Sequence, residues 1–335
     1  MTINLKTGEQ YAPRPEDYCT KIAPVAPGGG CPLWLAFLAR ITDNDTELQD
    51  YLARVVGYCL TGHTHEHALF FLYGTGANGK SVFTDTITGM MGDYATAVPI
   101  ETFLTARGER HPTELAALRG ARLVVADETD QGRHWNEGRI KQLTGGGKVS
   151  ARFVRQDFFT FKPTCKIFIV GNHKPSLRAV DEAIRRRFHL IPFNVTIPPD
   201  ERDQHLAEKL KDEWGGILQW AVDGCLAWRS EGLNPPAAVI EATEQYLVAE
   251  DSFGAWLEER TESDTGGWAF ESSANLFASW KVWAERAGED HGSRKRFANT
   301  LQARGYALKR TDKERGFAGI RLLRHDYTDD PRTGQ

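Results

Sequence analysis

A glycine-rich segment with the sequence Gly-Thr-Gly-Ala-Asn-Gly-Lys-Ser constrains the fold of this chain more than any other feature. It matches the pattern G-x-x-x-x-G-K-[ST], follows the apolar run Leu69–Tyr73 and opens a helical pattern over Ser81–Met91. In this context the pattern wraps backbone N–H groups around phosphates. We therefore predict that Lys80 contacts the β- and γ-phosphates of ATP and that the Ser81 hydroxyl ligates Mg²⁺. The predicted nucleotide-binding residues are Gly74, Thr75, Gly76, Ala77, Asn78, Gly79, Lys80 and Ser81.

Two further apolar runs end in polar residues that suit the same chemistry. The first leads into Asp127 and Glu128, as in a Walker B element, in which Asp127 holds Mg²⁺ and Glu128 polarises the attacking water. The second leads to Asn172, which can contact the γ-phosphate and orient that water. The alternative is an ordinary strand end or turn, because Asp-Glu and Gly-Asn pairs are common there.

Alternation of short apolar runs with helical patterns predicts an α/β fold with a largely parallel sheet. The expected strands are 68–73, 121–126 and 165–170, and residues 149–162 read as a hairpin with Arg155 at its tip. We predict an irregular segment and helical region over 1–60, a P-loop ATPase core over 61–200, a helical extension over 201–262 and a winged-helix-like domain over 268–326. A polar, glycine-containing stretch near 262–267 is the expected linker.

The formal net charge of −4 hides an uneven distribution of charge along the chain. Residues 139–190 contain twelve Lys and Arg against three Asp and Glu, and residues 275–325 contain twelve against five. Two basic blocks on an otherwise acidic chain predict two surfaces for a polyanion, although clustered solvated faces are the alternative. Within the first block, Arg185, Arg186 and Arg187 stand in a row and are candidates for an arginine finger.

In this order the motifs resemble superfamily 3 helicases, and most closely the C-terminal helicase part of phage and plasmid primase-helicases. The resemblance covers roughly residues 30–260, and it includes the sequences GTGANGKS, LVVADE, LTGGGK, GNHKP and RRRF. One departure is Gly147, where the family usually has Asp, and this weakens any role for that acid. The last part of the chain resembles the winged-helix tail of the family.

The resemblance implies an AAA+-like core that forms a homo-oligomeric ring, usually a hexamer, with ATP and Mg²⁺ at subunit interfaces and single-stranded DNA in the channel. It assigns Lys80, Ser81, Asp127, Glu128 and Asn172 to the nucleotide site. It gives the finger to Arg186 or Arg187 without choosing between them. It places Lys148, Arg152 and Arg155 on the DNA. Separately, the basic residues of the second block predict duplex DNA as a ligand of the C-terminal module, with a protein partner as the alternative. They are Arg294, Lys295 and Arg296 at the start of a helical pattern and Lys309, Arg310, Lys313 and Arg315 around the expected wing.

The resemblance predicts an ATP-dependent DNA helicase that acts in phage- or plasmid-type DNA replication. The alternatives are a duplex translocase or origin-melting motor, and an ATP-switched loader that binds DNA without unwinding it. Only 73 residues precede the glycine-rich loop, too few for the usual upstream primase domain, so we expect a primase or polymerase as a separate partner or in a longer protein.

Other features fit a cytoplasmic protein without membrane contact. The chain lacks an apolar run of about 18 residues and an apolar N-terminal stretch of the signal-peptide kind. Its five cysteines are odd in number and form no C-x-x-C pair, which disfavours disulfides and zinc fingers. The alternating histidines His63, His65 and His67 could hold a metal, but we expect a variable polar loop there. Phe153, Phe158 and Phe159 are expected to pack in a core, with stacking of one ring on a base as the alternative.

Overall fold

The computed structural model describes residues 1–105, 113–127, 133–177, 180–264, 268–311 and 314–323. It separates into two compact units, Met1–Leu247 and Val248–Gln335. Within the described ranges, no helix combines the length and apolar character that a bilayer crossing requires.

The helices of the described residues are numbered in chain order. They are α1 (Pro32–Ile41), α2 (Thr46–Cys59), α3 (Lys80–Met91), α4 (Thr113–Ala116), α5 (Glu137–Thr144), α6 (Glu182–Arg185), α7 (Leu206–Lys211), α8 (Trp214–Glu231), α9 (Ala237–Ala249), α10 (Ser252–Arg260), α11 (Ser273–Ala287) and α12 (Arg294–Ala303). The strands are β1 (Thr2–Ile3), β2 (Gln10–Tyr11), β3 (Leu69–Tyr73), β4 (Ala95–Ala97), β5 (Leu123–Asp127), β6 (Val149–Ala151), β7 (Phe159–Phe161), β8 (Lys166–Gly171), β9 (Phe188–Pro192), β10 (Thr261–Ser263), β11 (Phe270–Ser272), β12 (Ala307–Arg310), β13 (Arg315–Ala318) and β14 (Ile320–Leu322).

A five-stranded parallel sheet in the order β4-β5-β8-β3-β9 organises the first unit. The strands are apolar on both faces because helices or loops cover each side, as is usual for parallel sheets. Side chains of β3 alternate between two cores: Phe70 and Leu72 pack with α2, α3 and α8, whereas Leu69 and Phe71 pack with α5. The mixed α/β fold with a parallel sheet that the sequence predicts is therefore confirmed.

The first unit holds its N-terminal helices close to α8 through two glycines. A Cβ atom on Gly57 of α2 would lie 2.1 Å from the backbone nitrogen of Cys225, and one on Gly224 would lie 2.1 Å from the carbonyl oxygen of Ala53. Real Cβ contacts are not that short, so only glycine lets the two helix backbones cross at this distance. The crossing fixes α1 and α2 beside the sheet.

Within the predicted helical extension and the last part of the chain, local interactions set element boundaries that the sequence pattern does not reveal. The helical pattern over 237–259 is two helices, because the Asp251 side chain accepts a hydrogen bond from the Gly254 amide and begins α10. The pattern over 201–214 yields only the short α7 after a 3₁₀ turn at Pro199–Glu201. The stretch 315–322 forms two strands, β13 and β14, that are separated at Gly319, which has φ +78°.

The second unit has its own core, in which α10, α11, α12 and the sheet β11-β13-β12 enclose aromatic side chains. Trp256 is fully buried in this core, and Trp280 and Phe297 pack against it. β10, within the stretch expected as a linker, pairs with β14. The four-part domain division stays a prediction.

Candidate nucleotide site and nucleic-acid interface

Three sequence motifs meet at the carboxyl edge of the parallel sheet. Tyr73 at the end of β3 is in register with Gly171 of β8, and Asp127 at the end of β5 is in register with Val170. The glycine-rich loop and Asn172 therefore leave the sheet beside Asp127. Together they line a cleft of about 380 Å³. In open α/β sheets this edge is where ligands bind.

The glycine-rich loop has a tightly curled backbone. Gly76, Ala77 and Gly79 have φ values of +104°, +51° and +86°, which lie in or near the left-handed region. A Cβ on Gly74 would lie 2.2 Å from the Phe193 carbonyl oxygen, and one on Gly79 would lie 2.5 Å from the Ile41 side chain. Successive turns of this kind form a concave backbone surface that suits an anion. The packing explains why the two outer glycines of the motif are needed.

Lys80 is the first residue of α3 and is only 5% exposed. Its Nζ donates hydrogen bonds to the Gly74 carbonyl oxygen at 2.7 Å, to Asn78 Oδ1 at 3.1 Å and to Asn172 Oδ1 at 3.0 Å. Asn78 is fixed in turn, because its Nδ2 donates to the Phe193 carbonyl oxygen at 3.0 Å. Burial lowers the pKa of Lys80 from its ordinary value. Among the described residues, the oxygens that hold the Lys80 amine in the cleft are all neutral.

The cleft also offers oxygen ligands of the kind that Mg²⁺ prefers. Ser81 and Asp127 both line it and are both exposed. A hydroxyl and a carboxylate leave most of a Mg²⁺ ion's coordination sphere to water and phosphate, which is the usual arrangement. The donor set therefore fits this ion. Glu128, the predicted water-polarising residue, lies outside the described residues.

Asp85 is an additional acid that the sequence reasoning missed. Burial, and after it the charge of Asp127, raise the pKa of Asp85. It lies one helical turn after Ser81 on α3, so both side chains share a helix face. The spacing Ser-x-x-x-Asp after the glycine-rich loop is the signal that could have identified it.

The three consecutive arginines lie in three different environments. Arg185 donates to Glu244 Oε1 at 2.7 Å, and Arg186 is exposed. Arg187 is 6% exposed, and its Nε donates to Thr144 Oγ1 at 3.0 Å. Only Arg186 of the two finger candidates therefore presents its side chain to solvent.

The basic hairpin (residues 148–162) carries the predicted DNA contacts. β6 and β7 pair antiparallel, and Arg155 lies in the turn with φ +60°. Lys148 and Arg155 are exposed, whereas Arg152 is half-buried with its guanidinium 4.8 Å from the centre of the Phe158 ring.

Of the three aromatic residues at the hairpin tip, Phe159 packs against the core as expected, whereas Phe153 and Phe158 contradict the expectation of core packing. Phe158 is 60% exposed and Phe153 is 40% exposed. Phe153 stacks on the half-buried Phe159, with 5.5 Å between the ring centres. The expectation was wrong for Phe153 and Phe158 because the turn between β6 and β7 projects these rings beyond the layer that the sheet can cover.

The three alternating histidines do not converge. The rings of His63 and His65 are 5.6 Å apart beside Trp228, but His67 Nδ1 bonds the Thr144 carbonyl oxygen at 3.0 Å. Within the described ranges, no group of three or more His, Cys, Asp or Glu residues is arranged to hold a metal ion.

The buried Lys166 fixes the loop that contains these histidines. It is 2% exposed, and its Nζ donates to the carbonyl oxygens of Thr61, His63 and Thr164. Burial lowers its pKa to about 8. Its role is structural, because it caps the end of α2 and the start of the histidine loop.

The second basic block lies in the second unit. The first turn of α12 exposes Arg294, Lys295 and Arg296, and β12 exposes Lys309 and Arg310. Arg315 at the start of β13 is exposed as well, and Lys313, between β12 and β13, lies outside the described residues.

Two protein families match segments of the chain. Residues 72–187 match the family described as "Family of unknown function (DUF5906)", and residues 1–43 match the family described as "D5 N terminal like". The first match spans the cleft, the basic hairpin and the arginine row.

Several viral proteins are similar to the chain in sequence. "Putative helicase L207/L206" of Acanthamoeba polyphaga mimivirus is 28% identical over 66% of this chain and 25% of its own length. "Putative helicase 022R" of Frog virus 3 is 28% identical over 78% of this chain and 29% of its own length. "Putative primase C962R" of African swine fever virus is 24% identical over 44% of this chain and 16% of its own length. The chain thus spans about a quarter of the length of the first two relatives.

The fold is similar to solved structures of the C-terminal region of NrS-1. An apo structure of residues 305–718 of that protein has a TM-score of 0.54 and 12% identity, and the match covers 88% of this chain and 77% of that one. A second, A-form apo structure of the same region has a TM-score of 0.55. At this identity the likeness shows the fold.

We predict that Lys166→Met changes how stability depends on pH. Because the pKa of folded Lys166 is about 8 and that of an unfolded lysine is about 10.4, the unfolded chain binds more protons between these values. The free energy of unfolding of the wild type should therefore rise with pH relative to the variant, by about 1.5 kcal/mol between pH 8 and pH 9.5. Urea unfolding at the two pH values measures this difference, and equal changes in both proteins would contradict it.

Proposed function

We propose that this chain is the ATP-dependent motor of a superfamily 3 DNA helicase, which works as a homo-oligomeric ring on single-stranded DNA during replication. The observation that carries the proposal is Lys80, buried in the cleft and held between Gly74, Asn78 and Asn172. The names of the viral relatives support helicase and primase activity in the wider group. A primase or polymerase, in the same protein or separate, is the expected partner.

The residues of the cleft can divide the work of ATP hydrolysis. The curled backbone from Gly74 to Gly79 cradles the phosphates, and Lys80 exchanges its carbonyl and amide contacts for phosphate oxygens. Ser81 and Asp127 would hold Mg²⁺, which supplies charge neutralisation on the β- and γ-phosphates. Asn172, released by Lys80, is then available to orient the attacking water, and Glu128 remains the predicted residue that polarises it.

The exposed Arg186 is the better candidate for the arginine finger. A finger must leave its own subunit to reach the nucleotide of a neighbour, and the buried Arg187 is already bonded to Thr144. The exposed Arg186 can extend outward without leaving a buried position. The sequence left both residues open, and the difference in burial favours Arg186.

Two basic surfaces would contact DNA in different ways. The basic hairpin offers Lys148 and Arg155 to the backbone of a single strand, and its exposed Phe153 and Phe158 rings suit stacking on bases. In the second unit, a basic first turn of α12 and the exposed β12 resemble the recognition helix and wing of a winged-helix module. That geometry suits duplex phosphates and groove edges.

Strand separation on a forked duplex tests the proposed function. The wild type should hydrolyse ATP faster when single-stranded DNA is added, and it should release the displaced strand only with hydrolysable nucleotide. Lys80→Ala should lose both activities, because the loop backbone alone does not neutralise the phosphate charge. DNA-stimulated hydrolysis without strand release would favour the duplex translocase, and ATP-dependent DNA binding without stimulated hydrolysis would favour the loader.

We predict that Arg186 acts on the nucleotide of a neighbouring subunit. Removal of an arginine finger lowers the hydrolysis rate roughly 10³–10⁵-fold in known systems, so Arg186→Ala should be nearly inactive. Mixing it with Lys80→Ala should restore part of the rate, because some interfaces regain an intact loop and an intact finger. Mixed assemblies are verified by pull-down of one tagged variant. Failure of such assemblies to recover any activity would argue against a finger in trans.

We predict that substitutions in the two basic surfaces affect different DNA-binding activities. Arg155→Ala should weaken single-strand binding and its stimulation of hydrolysis, and it should leave duplex affinity unchanged. The double variant Lys309→Ala/Arg310→Ala should do the reverse and lower the salt slope of duplex binding by about one unit per lost phosphate contact. Lys281→Ala, an exposed lysine of α11 that pairs with Glu285, is the matched control. An unchanged duplex salt slope in the double variant would point to a protein partner for the second unit.

A further inference from the structure

Arg187 carries a buried charge and has no role in the nucleotide site as we propose it. Its Nε donates to Thr144 Oγ1 at 3.0 Å, and its Nη1 donates to the Ala183 carbonyl oxygen. Its own carbonyl oxygen accepts a hydrogen bond from the Leu69 amide at 2.7 Å, where β3 begins. Arg187 is thus tied to three separate segments of the first unit.

Thr144 is the last helical residue before the basic hairpin. Its hydroxyl donates to the Ile140 carbonyl oxygen at 2.7 Å, and its carbonyl oxygen accepts from His67 Nδ1 at 3.0 Å. Gly145, Gly146 and Gly147 follow it, and Lys148 then leads into β6. Three successive glycines have little stiffness of their own. Thr144 is therefore the last residue held by side-chain and backbone hydrogen bonds before the flexible glycines that lead to the hairpin.

We propose that Arg187 is a positioning residue that joins the exposed Arg186 to the base of the basic hairpin, so that DNA on the hairpin changes the rate of ATP hydrolysis through the Arg187–Thr144 bond. The inference rests on the proposed function and assigns different roles to the two adjacent arginines. It also gives His67 a place, as the second hydrogen-bond partner that holds the Thr144 end of α5.

We expect Arg187 and Thr144 to move together rather than to lose the hydrogen bond between them. Leaving a buried guanidinium without one of its acceptors carries a large desolvation cost, so Arg187 and Thr144 should shift together. Arg186 is the neighbouring residue in the chain, about 3.8 Å away between Cα atoms, so it must follow any such shift. The planar, forked guanidinium can bond Thr144 and Ala183 at once, which a lysine ammonium on a flexible stem does less well.

The test compares Thr144→Val, Arg187→Lys and the double variant. Thr144→Val removes the acceptor hydroxyl but keeps a β-branched side chain, and Arg187→Lys keeps the charge but removes the fork. Thr42→Val is the matched control, because Thr42 is also buried and its hydroxyl also bonds the carbonyl oxygen four residues earlier, at the end of α1. The measurements are basal ATPase, ATPase with saturating single-stranded DNA, DNA affinity and thermal midpoint.

We expect Thr144→Val to keep basal hydrolysis and DNA affinity, and both single variants to lose stimulation by DNA, by about 3- to 30-fold. The double variant should lose no more than either single variant, because both remove the same bond. Thr42→Val should keep full stimulation at a similar thermal midpoint.

Full stimulation in Thr144→Val and Arg187→Lys would overturn the inference and leave the proposed function intact. Equal loss in Thr42→Val would also overturn it, because the effect would then be one of general stability. A wild-type chain without DNA-stimulated hydrolysis would overturn the proposed function itself, and the inference with it.

Discussion

The burial of the Lys80 amine at the carboxyl edge of the sheet is the constraint on which the site depends. A cationic group removed from water must be bonded on every side, and here three oxygens from the loop and from the end of β8 provide this. Asn78, which is bonded to the Phe193 carbonyl oxygen beyond β9, connects that arrangement to the sheet. The phosphate ligand that we propose would replace these neutral partners by charged oxygens.

The rest of the first unit serves to hold that edge in place. Parallel register sets Asp127 and Asn172 beside the loop, and the Gly57–Gly224 crossing holds α1 and α2 beside the sheet, with Ile41 of α1 against Gly79. On the other face, the end of α5, the start of β3 and Arg187 form one hydrogen-bonded group below the basic hairpin. The candidate nucleotide cleft lies at the carboxyl edge of the sheet, whereas Arg187 meets the sheet where β3 and β9 begin.

Much of this could be predicted from the sequence, because local patterns carry it. Continuous apolar runs identified β3, β5 and β8, and the glycine-rich motif located the loop and Lys80. What the sequence could not provide depends on long-range contacts. The burial of Arg187 is set by Thr144, 43 residues away in sequence, and the exposure of Phe158 is set by how far the hairpin projects. Asp251 caps α10 and so interrupts a helical pattern, and the periodicity of apolar residues alone does not reveal this cap.

The central claim is that Lys80 binds nucleotide phosphate, and calorimetric titration with a slowly hydrolysed ATP analogue and Mg²⁺ tests it most directly. Two buried lysines provide the comparison: Lys80 lies in the cleft, whereas Lys166 caps a loop elsewhere in the first unit. We predict binding by the wild type and by Lys166→Met, and a loss of at least about tenfold in affinity in Lys80→Met, equivalent to about 1.4 kcal/mol. Equal affinity in Lys80→Met and the wild type would contradict the account.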